Sequence, residues 1–151
     1  MDRLSLPFSE LVRPAKVADL MLPDAVLKAF ARMIVSKEPM NMLFYGRPGS
    51  GKTSAARVIA AEAGLASTTI NGSDQNDLKM LVTRIQTFAS SLSLEGHGKL
   101  CLIEEADALS KRAQTTLRGV IEDAATNCRF ILTANDITRV DPAVRSRCKC
   151  I

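Results

Sequence analysis

The sequence predicts an α/β fold built on a doubly wound, mainly parallel sheet. Three observations carry this reading. Apolar runs recur as "NMLFY" (41–45), "KLCLIEE" (99–105) and "CRFILTAN" (128–135), uniformly apolar as strands covered on both faces are. Between them, apolar residues return at helical spacing. Strand and helix alternate along the chain, the order of a parallel sheet with helical crossovers. Ligands of such sheets sit outside the carboxyl ends of the strands.

Residues 1–23 are broken by Pro7, Pro14 and Pro23 and read as an extended arm, with residues 24–151 forming the globular domain. A helix follows "LPD", with Asp24 as N-cap and Leu27, Phe30, Ala31 and Ile34 on its apolar face. "NMLFY" is a buried strand that runs into a glycine loop. An Ala-rich helix from about Lys52 to Ala63 comes next, and Gly64 stops it. "STTI" (67–70) is a strand, "NGSD" a turn, and Ser73 or Asp74 can cap the following helix. That helix has apolar positions Leu78, Leu81, Val82, Ile85, Ala89 and Leu92. Ser110 caps a helix with the buried stripe Ala113, Leu117, Val120, Ile121 and Ala124. "DPAVRSR" is a helical turn, and "CKCI" begins a last strand.

A chain of 151 residues fits one domain with a sizeable core. With 46% hydrophobic and 24% charged residues, the composition is that of a globular protein rather than a disordered one. The net charge of +4 permits nucleic acid as a partner without requiring it. No Trp, one Tyr and five Phe argue against a base-stacking platform. Of the four cysteines, Cys101 and Cys128 sit in apolar runs, and the pair Cys148 and Cys150 is a weak metal signal; structural thiols are expected. "MDRLSLPFSELVRP" has no signal-peptide core, and no apolar run reaches membrane-spanning length. A soluble protein of the reducing cytosol is expected, with no membrane partner.

"GRPGSGKT" fits G-x-x-x-x-G-K-[ST] from Gly46 to Thr53, after a strand and before a helix. Gly49 and Gly51 allow positive φ, so backbone N–H groups can converge on a polyphosphate. The helix N-terminus adds partial positive charge at the same place. Lys52 would reach the β- and γ-phosphates, and the Thr53 hydroxyl would take one Mg²⁺ position. The candidate cofactor-binding positions are Gly46, Pro48, Gly49, Ser50, Gly51, Lys52, Thr53 and Ser54. The loop alone does not choose between ATPase, GTPase and kinase. "LCLIEEAD" places Glu104, Glu105 and Asp107 at a strand end, where one carboxylate can hold Mg²⁺ and the next can orient or deprotonate water.

"GRPGSGKT", "LIEEADAL", "FILTAN" and "RSRC" stand in the order and spacing of AAA+ ATPases, a P-loop NTPase family. "SRC" (146–148) resembles the clamp-loader branch, and "LVRPAKVADLMLP" resembles the arm of clamp-loader small subunits. "NGSD" and "TNCRFILTAND" are most similar to the phage version, and the resemblance covers about residues 9–151. It implies an ATP- and Mg²⁺-dependent ATPase subunit of a sliding-clamp loader. Its partners would be the other subunits of a ring or spiral, the sliding clamp, and primer–template DNA held by phosphate contacts. The implied location is cytoplasmic, in a host cell if the chain is phage-encoded.

The resemblance also assigns roles. Glu105 matches the glutamate that activates water, Asn135 the sensor-1 position, and Arg147 the arginine finger that reaches a neighbour's ATP. Lys52 and Thr53 act as above, with Glu104 at the metal position. Val12 and Met21 match arm positions lining the adenine pocket. Ser73 to Lys79 and Ser110 to Arg112 are candidate DNA edges, where Lys79, Lys111 or Arg112 could meet phosphates without reading sequence. Gln114 matches a polar position connecting the DNA and ATP sites.

Two departures stand out. The family has Asp-Glu at the strand end, and this chain has Glu104-Glu105, so the metal-side oxygen is moved by one methylene. The helical lid and collar that follow this domain in the family are not in the sequence, so weak binding and little hydrolysis are expected of the chain alone. Two alternatives stay open: a non-hydrolysing structural or adaptor subunit that donates Arg147, and another AAA+ remodeller such as a helicase loader.

Overall fold

The computed structural model describes residues 14–36, 40–74, 78–91 and 98–151. Five strands appear among them: β1 (Met42–Tyr45), β2 (Ala66–Asn71), β3 (Lys99–Glu104), β4 (Cys128–Ala134) and β5 (Lys149–Cys150). They form one sheet in the order β2-β3-β4-β1-β5, with every pairing parallel. The helices are α1 (Asp24–Ser36), α2 (Lys52–Glu62), α3 (Leu78–Ser90), α4 (Lys111–Asp123) and the short α5 (Pro142–Arg145).

The uniformly apolar runs are explained by what covers each face. Met42 and Phe44 of β1, Leu100 and Leu102 of β3 and Ile131 of β4 pack against α1 and α2. Their alternates Leu43, Cys101, Ile103, Phe130 and Leu132 pack against α3, α4 and α5. Successive side chains of a strand point to opposite faces, so a strand with helices on both sides has no solvent face to keep polar. Phe30 of α1 meets Phe44 with ring centroids 5.5 Å apart.

The stripe of α4 is as expected: Ala113, Leu117, Val120, Ile121 and Ala124 are all buried. Ser110 caps this helix, accepting from the Ala113 amide at 3.2 Å. On α3, Leu81, Ile85 and Ala89 are buried. The side chain of Leu78, and Leu92, lie outside the described residues.

Two local expectations need correction. Asp24 is the first residue of α1 rather than the residue before it. The face of α1 that packs inward is set by Phe30 and Met33, while Ala31 is exposed. "NGSD" turns the chain as expected: the Asn71 Oδ1 accepts from the Ser73 amide at 3.0 Å and from its hydroxyl at 2.8 Å, an Asx turn, and residues 75–77, before α3, lie outside the described ones.

Lys99 is 4% exposed although it opens a strand read as apolar. Its ammonium donates to the Phe88 carbonyl at 2.7 Å, to the Ser91 hydroxyl at 2.9 Å and to the Ser91 carbonyl. It therefore caps the last turn of α3, where a cation also meets the negative end of the helix dipole. Among the described residues no helix is long and apolar enough to cross a membrane.

Burial pushes the Cys128 thiol up to about 11 and the Cys148 thiol up to about 12, and raises Cys101 as well. The folded chain thus holds these thiols neutral while the unfolded chain ionises them near 9.0. Stability from them is complete below that pH and is lost as pH rises through about 11 for Cys128 and about 12 for Cys148. Native labelling with iodoacetamide at pH 8 should modify the exposed Cys150 first and leave Cys101 and Cys128 unreacted, as read by intact mass.

Candidate functional site

β1 turns directly into the glycine loop. Gly49 (φ 79°) and Gly51 (φ 86°) occupy the left-handed region that glycine enters without a Cβ penalty. Gly51 precedes α2, and no side chain caps that helix start, leaving its first amides aimed over the loop. Lys52 folds back across the loop, donating to the Gly46 carbonyl at 2.8 Å and the Arg47 carbonyl at 2.9 Å. Desolvation holds its pKa below the ordinary lysine value, against a smaller opposing pull from the Asp107 carboxylate.

At the end of β3 the backbone bends sharply. Glu105 has φ 54° and ψ 48°, a left-handed conformation that costs a non-glycine residue about 1 kcal/mol. Three contacts hold it. Its amide donates to the Thr133 hydroxyl at 3.2 Å, its carbonyl accepts from Ala108 at 2.9 Å, and Gly72 lies against its backbone. The Gly72 amide donates to the Glu104 carbonyl at 2.7 Å. A Cβ on Gly72 would stand 2.5 Å from the Glu105 carbonyl oxygen, so only glycine fits there.

Asp107 ties this bend to the end of β4. It is buried, and its Oδ2 accepts from the amides of Asn135 at 3.1 Å and Asp136 at 3.0 Å. Gln114, also buried, makes a second tie. It donates to the Leu109 carbonyl at 3.1 Å and the Arg139 carbonyl at 3.0 Å, and accepts from the Asp141 amide at 2.6 Å.

These elements enclose a cleft of about 330 Å³ lined by Pro48, Gly49, Gly51, Lys52, Thr53, Ser54, Glu105, Thr133 and Asn135. Residues from three separate sequence motifs are thereby brought together. Gly46 and Ser50 shape the loop without lining the cleft. The lining offers what the two implied groups need: an ammonium and helix-start amides for polyphosphate, and a hard oxygen donor, the Thr53 hydroxyl, for Mg²⁺, with the Glu105 carboxylate beside it.

Other predicted residues lie elsewhere. The Glu104 carboxylate accepts from Arg57 of α2 at 2.9 Å and does not line the cleft. Arg147 pairs with Glu122 of α4 through its Nε at 2.7 Å and through a second guanidinium nitrogen, and donates to the Ala143 carbonyl at 2.6 Å. Met21 is fully exposed; the arm packs instead through Val17 and Leu20, with the Val17 amide donating to Glu62 at 3.1 Å. Val12 and residues 75–77 lie outside the described residues. Lys79, Lys111 and Arg112 are exposed at the starts of α3 and α4.

Sequence reasoning gave no role to Thr133, Arg57 or the clasp made by Asp107. Thr133 carried a signal, being a hydroxyl inside the apolar run "FILTA". Asp107 was legible as a strand-end carboxylate but its clasp on Asn135 was not, and Arg57, acting across the fold, carried no signal.

Fold and cleft together define a P-loop NTPase core. Residues 42–151 match the family described as "ATPase family associated with various cellular activities (AAA)", and the chain belongs to it. It is 35% identical over 151 residues to replication factor C subunit 5 of Mus musculus and 33% identical over 160 residues to a probable replication factor C subunit 5 of Caenorhabditis elegans. Each alignment covers 95% of this chain and 44% of the relative, so the chain spans less than half the length of these relatives. In structure it is similar to the RuvB Holliday junction branch migration motor of Thermotoga maritima. The TM-score is 0.74 at 22% identity, covering 93% of this chain and 47% of that one.

Two substitutions test the construction of the site. Asp107→Ala strips two amides of a charged acceptor and should cost about 1.5–3 kcal/mol in urea unfolding, with Asp107→Asn costing less because one oxygen remains. Gly72→Ala forces the Glu105 bend to move and should cost about 1–3 kcal/mol in the same assay.

Proposed function

We propose that the chain is the ATP-binding and ATP-hydrolysing part of a sliding-clamp-loader subunit, which uses ATP to open the clamp and load it onto primer–template DNA. One observation supports this most directly. Lys52, Thr53, Glu105 and Asn135 share a cleft, while Arg147 lies outside it on the α4–α5 side, as suits a residue that serves a neighbouring subunit. The relatives are named as replication factor C subunits, parts of a larger replication assembly.

In this reading the loop amides and Lys52 hold the β- and γ-phosphates, and Lys52 leaves the Gly46 and Arg47 carbonyls to do so. Glu105, turned out by its left-handed backbone, accepts a proton from the attacking water. Asn135, held through its own amide by Asp107, orients that water or the γ-phosphate. Thr53 is the metal-side hydroxyl. Mg²⁺, when bound, offsets the charge that builds on the phosphate oxygens. Arg147 releases Glu122 and serves the site of the next subunit in a ring or spiral. Met21 and Val12, matched to arm positions that line an adenine pocket, are the expected adenine contacts. Lys79, Lys111 and Arg112 meet DNA phosphates without reading sequence.

One observation favours the adaptor alternative: Glu104, at the metal position, is engaged by Arg57. Turnover separates the readings. Lys52→Ala should weaken a fluorescent ATP analogue roughly tenfold or more in equilibrium titration. In an assembly reconstituted with partner subunits, primer–template DNA and clamp should raise turnover. Arg147→Ala should keep nucleotide binding to its own loop and lose that stimulated turnover. Turnover that ignores both DNA and clamp would sink the loader reading.

A further inference from the structure

Arg57 is one helical turn beyond Thr53 on α2, so both project from the same face of that helix. Thr53 reaches the cleft, and Arg57 reaches past it to the end of β3. There its guanidinium donates to Glu104 Oε1 at 2.9 Å, with side-chain exposures of 44% for Arg57 and 17% for Glu104. Glu104 is fixed from behind as well, since its carbonyl accepts from Gly72 at 2.7 Å. The carboxylate is therefore held toward α2, while Glu105, the next residue, turns into the cleft.

The pair explains the unusual residue at this strand end. An aspartate there would stop about 1.5 Å short of where the glutamate carboxylate meets the guanidinium. A divalent cation at Thr53 and the Arg57 guanidinium are both cations that seek the Glu104 carboxylate, and a carboxylate bonded to one is a poorer ligand for the other.

We propose that Arg57 is a positioning residue that withholds Glu104 from the metal, so that divalent-cation affinity in the nucleotide complex is set by this competition. The proposal rests on the nucleotide-site reading above. It makes Glu104 a regulated, indirect contributor to the metal shell, and leaves Thr53 as the metal-side oxygen already facing the cleft, with Glu105 kept for water.

The test uses the full chain, ADP and Mn²⁺, a spectroscopic stand-in with the same preference for hard oxygen ligands. Binding of fluorescent ADP without metal is measured first. Free Mn²⁺ is then followed by electron paramagnetic resonance in the wild type, Arg57→Gln, Glu104→Asp and the double variant Arg57→Gln/Glu104→Gln. Arg57→Gln should tighten Mn²⁺ about fivefold, the scale of one partly exposed ion pair. Glu104→Asp breaks the same pair from the other side and should also tighten Mn²⁺. The double variant should lose the gain, because no released carboxylate remains. Folding is checked by circular dichroism, and Glu104→Asp carries the test if Arg57→Gln does not fold. ADP binding with unchanged or weaker Mn²⁺ affinity in the folded single variants would overturn the proposal alone. Failure of the wild type to bind ADP would overturn the nucleotide-site reading and the proposal with it.

Discussion

The Asp107 carboxylate joins the ends of β3 and β4, and the geometry of the cleft hangs on it. Two amides from successive residues, Asn135 and Asp136, converge on one carboxylate oxygen. Such charge-assisted bonds are roughly twice as strong as neutral ones. They fix Asn135 relative to Glu105, two residues before Asp107, with no need for the exposed side chains of either to make contact. Without this clasp, the two strand ends would be aligned only by the single Glu105–Thr133 hydrogen bond and by the ladder behind it, which stops at Ile103 opposite Leu132.

The same clasp starts a line of hydrogen bonds that leaves the cleft. Asp136 Oδ1 accepts from the Thr138 amide at 2.9 Å and its hydroxyl at 2.6 Å, bonds that also hold its pKa below the ordinary carboxylate value. The following turn offers the Arg139 carbonyl to Gln114, and Gln114 receives the Asp141 amide. Asp141 then caps α5 through the Ala143 amide at 2.7 Å, and the Ala143 carbonyl receives Arg147. Asn135 at the cleft and Arg147 on the α4–α5 side are thus built on one short scaffold. Buried and fully engaged, Gln114 is its middle post; truncating it would leave two carbonyls and an amide unpaired.

What the sequence made legible was whatever is periodic or local. The stripe of α4 could be read because five apolar residues repeat at helical spacing and Ser110 precedes them. The glycine loop could be read because left-handed backbone demands glycine at fixed offsets, and Gly49 and Gly51 occupy it. Less legible was anything decided by a partner distant in sequence. Ala31 and Met33 fit the α1 pattern about equally well, and only the sheet chooses Met33. Lys99 reads as a strand boundary until the carbonyls of α3, eight and eleven residues away, surround it. The roles of Arg57 and Asp107 depend on partners 47 and 28 residues distant. No pattern in the sequence announces such pairs.

The two arginines facing glutamates differ in how tightly they are bound to their places. Arg147 and Glu122 are 31% and 51% exposed, so water screens the pair and its net worth is small, about 1 kcal/mol or less. A polyphosphate, with more charge and bidentate oxygens, is a better partner for a planar guanidinium, and the exchange costs little. Glu104 is only 17% exposed, and its carboxylate has lost much of its hydration to the end of the sheet. Arg57 itself is 44% exposed, so the cost of breaking this pair falls on the less hydrated Glu104 carboxylate, which a cation arriving at the same moment would relieve. In the proposed reading, the Glu122 pair is therefore suited to be broken by a neighbouring molecule, and the Glu104 pair to be exchanged for a metal ion. It is the exposure of the glutamate, 51% for Glu122 against 17% for Glu104, rather than that of the arginine or any difference in residue type, that would separate a side chain lent to another subunit from one that sets the terms of its own site.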